Sequence, residues 1–432
     1  MPHSQRSAIL YQSIDREITL IDIPTSIALA QDRTDTLLST APLQEPITSK
    51  EEYQPKAGKA RDNPAIDIAQ HDIYKPLIEQ ALLDIKAHVS GDWCAPRQVL
   101  ENSAAETKDA EKELELRFRE WAADKESSDD ASFDFQTMMA QLGAPEVQPA
   151  STGSTTQWSM SYATKHVRNQ QETVEELSPA FYNADPQHLN LIISRTQESY
   201  TFTLPPLSGY CLADCGHPRS LRASLRSLSA TQNVPHHFDL VLMDPPWPNR
   251  SAKRKHAYEQ IGGMPYLKKM LLKMDIDDYL NPNALVGIWI TNKPALREHV
   301  LGPGGLFERW NVGLVEEWVW VKTTVKGEPM FDLGDTMRKP YEVLLLGRAA
   351  PNHWTAAKNA EVPKRRVIAG VPDVHSRKPC LKDLFAEFVP DVENCSVLEV
   401  FARCVVSGWM AWGNEVLKYN EDMYWAESMN GH

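Results

Sequence analysis

The sequence predicts an α/β protein with a mostly parallel sheet, preceded by a mainly helical acidic region. Two observations carry this. Past residue 157 the chain is punctuated by short apolar runs, LNLIIS, YCLAD, FDLVLMD, LVGIWIT, EEWVWVKT, YEVLLLG and SVLEVF, separated by turn and helix signals. Near-continuous apolar strands mark a sheet buried on both faces, and ligands of such sheets sit at the carboxyl ends of the strands. Upstream, Gly143 to Thr156 (GAPEVQPASTGSTT) is rich in Pro, Gly, Ser and Thr without apolar pattern, which reads as a linker.

The 432 residues exceed one ordinary core, so two or three units are expected. Residues 1–70 are polar, Pro-interrupted and weakly periodic, and read as a loosely ordered extension. Residues 71–156 read as a helical acidic region. There Ile78, Ala81, Leu82, Ile85 and Val89 recur at helical spacing, with Pro76 placed in a first turn. AETKDAEKELELRFREW then predicts a solvated helix with one apolar face of Leu114, Phe118 and Trp121. The α/β domain is expected over residues 157–432.

A hydrophobic content of 42% fits a globular protein, and neither a membrane span nor the apolar core of a signal peptide is visible. An intracellular protein is expected. Cys94, Cys211, Cys215, Cys380, Cys395 and Cys404 are scattered, which predicts reduced thiols. Cys211 and Cys215 form a C-x3-C pair near His217, but no second pair follows at a ligand spacing, so no metal is expected. The formal charge of -13 is uneven: residues 1–200 hold 18 Lys and Arg against 32 Asp and Glu, leaving 27 against 26 for the remainder. A near-neutral second half can still carry a local basic surface.

Phe238 to Trp247 (FDLVLMDPPW) concentrates the chemistry. Two prolines cannot continue a sheet interior, so Asp244, Pro245, Pro246 and Trp247 are thrown out at a strand's carboxyl end. A turn with its tryptophan packed on the core would look the same in sequence. The tetrad also suits methylation of an exocyclic amine, whose lone pair is delocalised into its ring until acceptors draw its protons away. The Asp244 carboxylate and the Pro245 carbonyl are such acceptors. Trp247 offers a face on which a flipped base could stack.

With FDLVLMDPPWPNRSAKRKHAY, EEWVWVKTT, KPYEVLLLGR, VHSRKP and LEVFARCVVSGWMAWGNEVLKY in this order, residues 205–425 resemble the MT-A type amino-methyltransferases with a D-P-P-W motif, in particular the methyltransferase-like protein 4 branch. The resemblance implies a Rossmann-type domain that uses S-adenosylmethionine to methylate adenine N6. It implies that Glu399, Phe401, Arg403, Asn414 and Glu415 line the ribose and methionine ends of the cofactor. Asp214 and Cys215 would meet its adenine, and Lys378 its carboxylate. Many amino-methyltransferases carry F-x-G-x-G after the cofactor strand where this chain reads F-A-R, a substitution the MT-A type shares.

Arg250, Lys253, Arg254 and Lys255, with Tyr258 beyond, follow the tetrad closely and are expected to contact nucleic acid, since phosphates must approach a flipped adenosine. Lys322 and Glu342 resemble substrate-pocket positions of the family. Lys364-Arg365-Arg366 fits phosphate contact or nuclear import alike. Nucleic acid is the expected partner, RNA ahead of DNA; by resemblance the RNA target is 2′-O-methyladenosine in small nuclear RNA. A nuclear location, with cytoplasm also open, is expected, and the sequence requires no obligate protein partner. A non-catalytic nucleic-acid-binding subunit is the reading of another class, and the intact tetrad argues against it.

Overall fold

The computed structural model describes residues 6–48, 67–100, 105–123, 158–164, 173–248, 263–335, 338–388 and 395–426. Their main sheet has eleven strands. It is centred on β10 (Phe238–Met243), flanked by β11 (Leu280–Ile290) on one side and by β15 (Val397–Val400), β16 (Met410–Gly413) and β9 (Ser208–Leu212) on the other. These five run parallel, and β6 (Ala180–Asn183) closes that edge antiparallel. Beyond β11 follow β13 (Tyr341–Ala349), β12 (Val312–Lys322), β14 (Lys364–Gly370), β2 (Ile18–Ile21) and β1 (Ile9–Gln12). Pairing is antiparallel from β11 to β13 to β12, then parallel to β2. The predicted mostly parallel α/β sheet is thus present.

Alternation along β10 explains why the apolar runs are continuous. Val241 and Met243 enter one hydrophobic core and Leu240 and Leu242 the other, so both faces are buried. The first core is covered by α2 (Ile68–His88), α4 (Pro218–Gln232) and α5 (Gly263–Lys273). Helix α4 starts on Pro218, ends on the left-handed Asn233, and buries Leu221, Leu225 and Leu228 at helical spacing. The second core is covered by α1 (Ile23–Ala30), α3 (Ala105–Ala122) and a separate antiparallel sheet. That sheet has the order β5 (Thr173–Glu176), β4 (Ser159–Thr164), β7 (Leu189–Arg195), β8 (Glu198–Leu204).

Several expectations are corrected. Residues 1–70 are not simply a loose extension: β1, β2 and α1 extend the main sheet and its second core. Helix α2 begins at Ile68, where Asp67 caps the Gln70 N–H at 3.2 Å, so Pro76 lies inside the helix on its exposed side. LNLIIS is no central strand. As β7 it buries Leu189, Leu191 and Ile193 and leaves the alternate residues partly exposed, as a one-faced sheet requires. The apolar face of α3 packs on this sheet, with Trp121 edge-on to Trp158 and Tyr200. The predicted linker, residues 143–156, lies outside the described residues.

The basic run on β14 is spent on ion pairs. Lys364 meets Glu17 at 3.3 Å, Arg365 meets Glu317 at 2.8 Å, and Arg366 meets Glu316 at 2.8 Å. Among the described residues no helix is long and apolar enough to cross a membrane.

Candidate active site

Register sets the site. Met243 pairs with Val400, Val400 with Trp412, and Trp412 with Cys211, so the chain leaves β10, β15, β16 and β9 along one carboxyl edge. Asp244, Phe401 and Asn414 are the residues that follow the first three, and Asp214 lies two past the end of β9. This is the edge at which open α/β sheets bind ligands. A solvent-open cleft lies there, bordered by Asp244, Trp289, Lys378, Glu399, Phe401 and Arg403.

Two prolines end β10, and the Trp247 N–H donates to the Pro245 carbonyl at 2.7 Å to close a tight turn. The indole is only 9% exposed, and its Nε1–H donates to the Trp289 carbonyl at 2.6 Å. Trp247 therefore braces the loop from within the core, and the base-stacking face expected of it is not presented. Trp247→Phe keeps the ring and strands the Trp289 carbonyl. It should cost about 1–3 kcal/mol in a denaturant titration without loss of fold. The Pro245 oxygen retains acceptor capacity, since a carbonyl carries two lone pairs.

The charged groups form an alternating chain. Lys378 Nζ lies 3.2 and 3.1 Å from the two Asp244 oxygens and 2.9 Å from Glu342 Oε2, and Lys322 Nζ lies 2.6 Å from Glu342 Oε1. Trp289 and Trp320 flank it, with the Lys378 ammonium 5.5 and 6.0 Å from their ring centres and Lys322 4.8 Å from that of Trp320. Burial alone would raise the Glu342 carboxyl, but the Lys378 and Lys322 ammonium groups outweigh it and hold it at about 2. Burial would lower Lys378, and Asp244 and Glu342 outweigh it to raise it. No such cation faces Glu399 among the described residues, and burial, with the Asp244 carboxylate second, pushes it up to about 7.

Lys378 comes from the loop after β14, several strands away in the sheet. The loop is tied to the front of the chain. Arg377 donates to the Leu38 carbonyl at 2.9 Å and to Asp373 at 2.6 Å, Asp373 also pairs with Ser39, and Arg97 donates to the Val371 and Pro372 carbonyls at 2.8 Å each. Arg377 stacks over the Tyr419 ring at 4.2 Å and borders the cavity, with Nε and Nη2 lacking a hydrogen-bond partner among the described residues.

Phe401 adopts φ +60°, a left-handed conformation costly for a non-glycine side chain. It persists because the Ala402 N–H donates to the Trp412 carbonyl at 3.1 Å and because Gly413 lets the two segments meet. A Cβ on Gly413 would stand 2.9 Å from the Ala402 carbonyl oxygen. Gly413→Ala should thus displace the Phe401–Arg403 loop, lowering stability by about 1–3 kcal/mol in a denaturant titration.

Arg403 pairs with Glu415 at 3.6 Å. Cys215 accepts or donates toward backbone on both sides, its thiol 3.9 Å from the Trp412 carbonyl and in hydrogen-bond contact with the Phe401 backbone. Asp214 is exposed, with Oδ1 accepting the Gly216 N–H at 2.8 Å and Oδ2 3.6 Å from His217. Asn414 is half-buried just past β16. The predicted Asp244, Lys378, Glu399, Phe401, Arg403, Lys322 and Glu342 are therefore brought together directly, and Cys215 and Glu415 join through Phe401 and Arg403. Arg250, Lys253, Arg254, Lys255 and Tyr258 lie outside the described residues. Sequence reasoning missed Trp289, Trp320 and Arg377; the alternating tryptophans of WVWVK and the arginine next to Lys378 were the available signals.

Residues 238–415 match the MT-A70 family model. The chain is 42% identical over 192 residues to the "N6-methyladenosine RNA methyltransferase MTA1" of Cryphonectria parasitica, covering 44% of this chain and 55% of that protein. It is 33% identical over 237 residues to the human "N(6)-adenine-specific methyltransferase METTL4", covering 53% and 46%. It is also 33% identical over 180 residues to the "DNA N6-methyl methyltransferase" of Caenorhabditis elegans, covering 41% and 45%. The chain spans about half the length of these relatives. The D-P-P-W turn, the Lys378 loop and the Phe401–Arg403 loop all fall within the segment, residues 238–415, that matches the MT-A70 family model.

Proposed function

We propose that the chain transfers a methyl group from S-adenosylmethionine to the N6 nitrogen of adenine in a nucleic acid, RNA in preference. The observation that carries this reading is the Asp244 carboxylate at the end of β10, facing the same cavity as the Phe401–Arg403 loop at the end of β15. The cavity's residues fit the cofactor: Phe401 supplies an apolar wall, and Arg377, Lys378 and Arg403 supply cationic donors for a carboxylate. When bound, S-adenosylmethionine supplies an electrophilic methyl on its sulfonium.

The chain's own residues do the rest. Asp244 accepts a hydrogen bond from the adenine amine and, as the N–C bond forms, draws a proton from it. Lys378, held by Glu342, fixes the direction of the Asp244 oxygens. Positioning of amine and methyl in line supplies much of the acceleration. Asp214 and Cys215 would lie toward the cofactor adenine, and Asn414 and Glu415 toward its ribose. Arg250, Lys253, Arg254, Lys255 and Tyr258 would hold the substrate strand, with Lys322 and Glu342 at its base.

A small nuclear RNA carrying 2′-O-methyladenosine is the substrate this reading favours, with a nuclear location. A second reading, DNA adenine, draws on the nematode relative's name. Matched RNA, 2′-O-methylated RNA and DNA oligonucleotides incubated with labelled cofactor separate the two: label in 2′-O-methylated RNA above the others supports the first, label in DNA alone the second. Absence of cofactor binding in calorimetry would instead mark a non-catalytic binding subunit.

A further inference from the structure

Helices α4 and α5 run against the charge of the chain that contains them. In a protein of net charge -13 they hold six cations, Arg219, Arg222, Arg226, Lys268, Lys269 and Lys273, and no acid. The helical repeat gathers these on the solvent side. Arg219, Arg222 and Arg226 recur at i, i+3 and i+7, on the side of α4 turned away from the buried Leu221, Leu225 and Leu228. Lys268, Lys269 and Lys273 stand likewise opposite the buried Leu267 and Leu271 of α5. Arg219, Arg226, Lys269 and Lys273 are exposed.

The two rows adjoin, because Arg222 of α4 pairs with Asp275, two residues past the end of α5. Arg226, Lys268, Lys269 and Lys273 form no ion pair among the described residues. Even with Asp275, Asp277 and Asp278 set against them, the cations are in excess. Topology gives the rows a direction. Helix α4 connects β9 to β10 and α5 connects β10 to β11, and all three strands are parallel in one sheet. Both helices therefore start at the carboxyl edge, where Asp244 lies, and run toward the opposite edge. The three acids follow the end of α5, away from Asp244.

The apolar sides of both helices are spent on the core, so neither has a face to insert into lipid. Cations set side by side without carboxylates between them repel one another, and an occupant with regularly repeated negative charge relieves this. We propose that α4 and α5 form a phosphate track for the strand that carries the target base, leading it from the carboxyl edge over the helices of the first core. The inference rests on the reading of the chain as a nucleic-acid methyltransferase. Arginine and lysine both suit phosphate, the arginine fork by paired hydrogen bonds and the ammonium as a point charge.

Binding of the full chain to fluorescent single-stranded RNA tests this without requiring turnover. One oligonucleotide has only a few residues around a single adenosine, and the other extends well to both sides. Arg226, Lys269 and Lys273 are replaced together by Ala, all three being exposed and outside any ion pair among the described residues. For the long strand the salt dependence should flatten by about two units of slope, about 0.7 for each lost phosphate contact. Affinities for the short strand and for S-adenosylmethionine should stay as they are. The charge-preserving set Arg226→Lys, Lys269→Arg and Lys273→Arg should keep the slope. An unchanged slope in the alanine variant overturns the track, whether or not adenine is methylated. So does polyglutamate that displaces the long strand as well as unlabelled RNA does, since the face would then suit an acidic protein. A flattened slope in a chain that methylates no base would overturn the catalytic reading and leave the track standing.

Discussion

Asp244→Ala is expected to slow methyl transfer by about a hundredfold or more while leaving cofactor affinity largely intact. Loss of one preorganised group acting on the reacting centre costs on the order of 3 kcal/mol in the barrier. In this site the carboxylate is held by Lys378 at 3.1 and 3.2 Å, so its oxygens are already aimed before substrate arrives. Removing it leaves Lys378 paired with Glu342 alone, and the cationic side of the cavity stays intact. Single-turnover transfer measured beside calorimetric cofactor binding separates the two effects. Undiminished turnover in the alanine variant would remove Asp244 from the chemistry.

Lys378→Ala is expected to weaken S-adenosylmethionine and its demethylated product by the same factor, about 10- to 150-fold, because both keep the amino-acid carboxylate. The figure corresponds to one charge-assisted hydrogen bond of about 1.5–3 kcal/mol. The variant also leaves Asp244 and Glu342 without the cation they share. Glu342 is held at about 2, so its pairing stabilises the fold above the ordinary glutamate value and is lost as pH falls through about 2. Without Lys378 that carboxyl should titrate higher, and the acid side of the stability profile should shift to higher pH. Unchanged affinity for both ligands, with a shifted acid limb, would assign Lys378 to positioning Asp244 and not to the cofactor.

What could be read in the sequence follows from where its information is local. FDLVLMDPPW announces a strand and its end, because prolines forbid continuation, and the observed β10 stops at Met243 as that rule requires. The helical spacing of Ile78, Ala81, Leu82 and Ile85 likewise appears as the buried face of α2. Neighbour relations were less legible. β1 and β2 are four residues each, too short to show a period; β2 gains its place only by pairing with β14 some 350 positions later, and β1 follows by pairing with β2. The LNLIIS run is apolar enough to pass for a central strand, because Ile192 occupies a partly exposed position that a polar residue would have betrayed.

The site divides in the same way. Asp244, Phe401 and Arg403 were found because motif order placed them at strand ends. The holding of Lys378 was invisible: it depends on Leu38, Ser39 and Arg97, all in a front half that carries no motif. Trp247 illustrates the remaining gap. An indole after two prolines can face a ligand or the core with equal local logic, and only the Trp289 carbonyl decides for the core.

The most direct test of the central claim is the identity of the methylated nucleoside. The chain and its Asp244→Ala variant are incubated with isotopically labelled S-adenosylmethionine and an oligonucleotide containing all four bases, which is then digested and resolved by mass spectrometry. The account predicts label in N6-methyladenine nucleoside alone, present with the unmodified chain and lost with the variant. Label on cytosine N4, or equal label on adenine with both proteins, would contradict it.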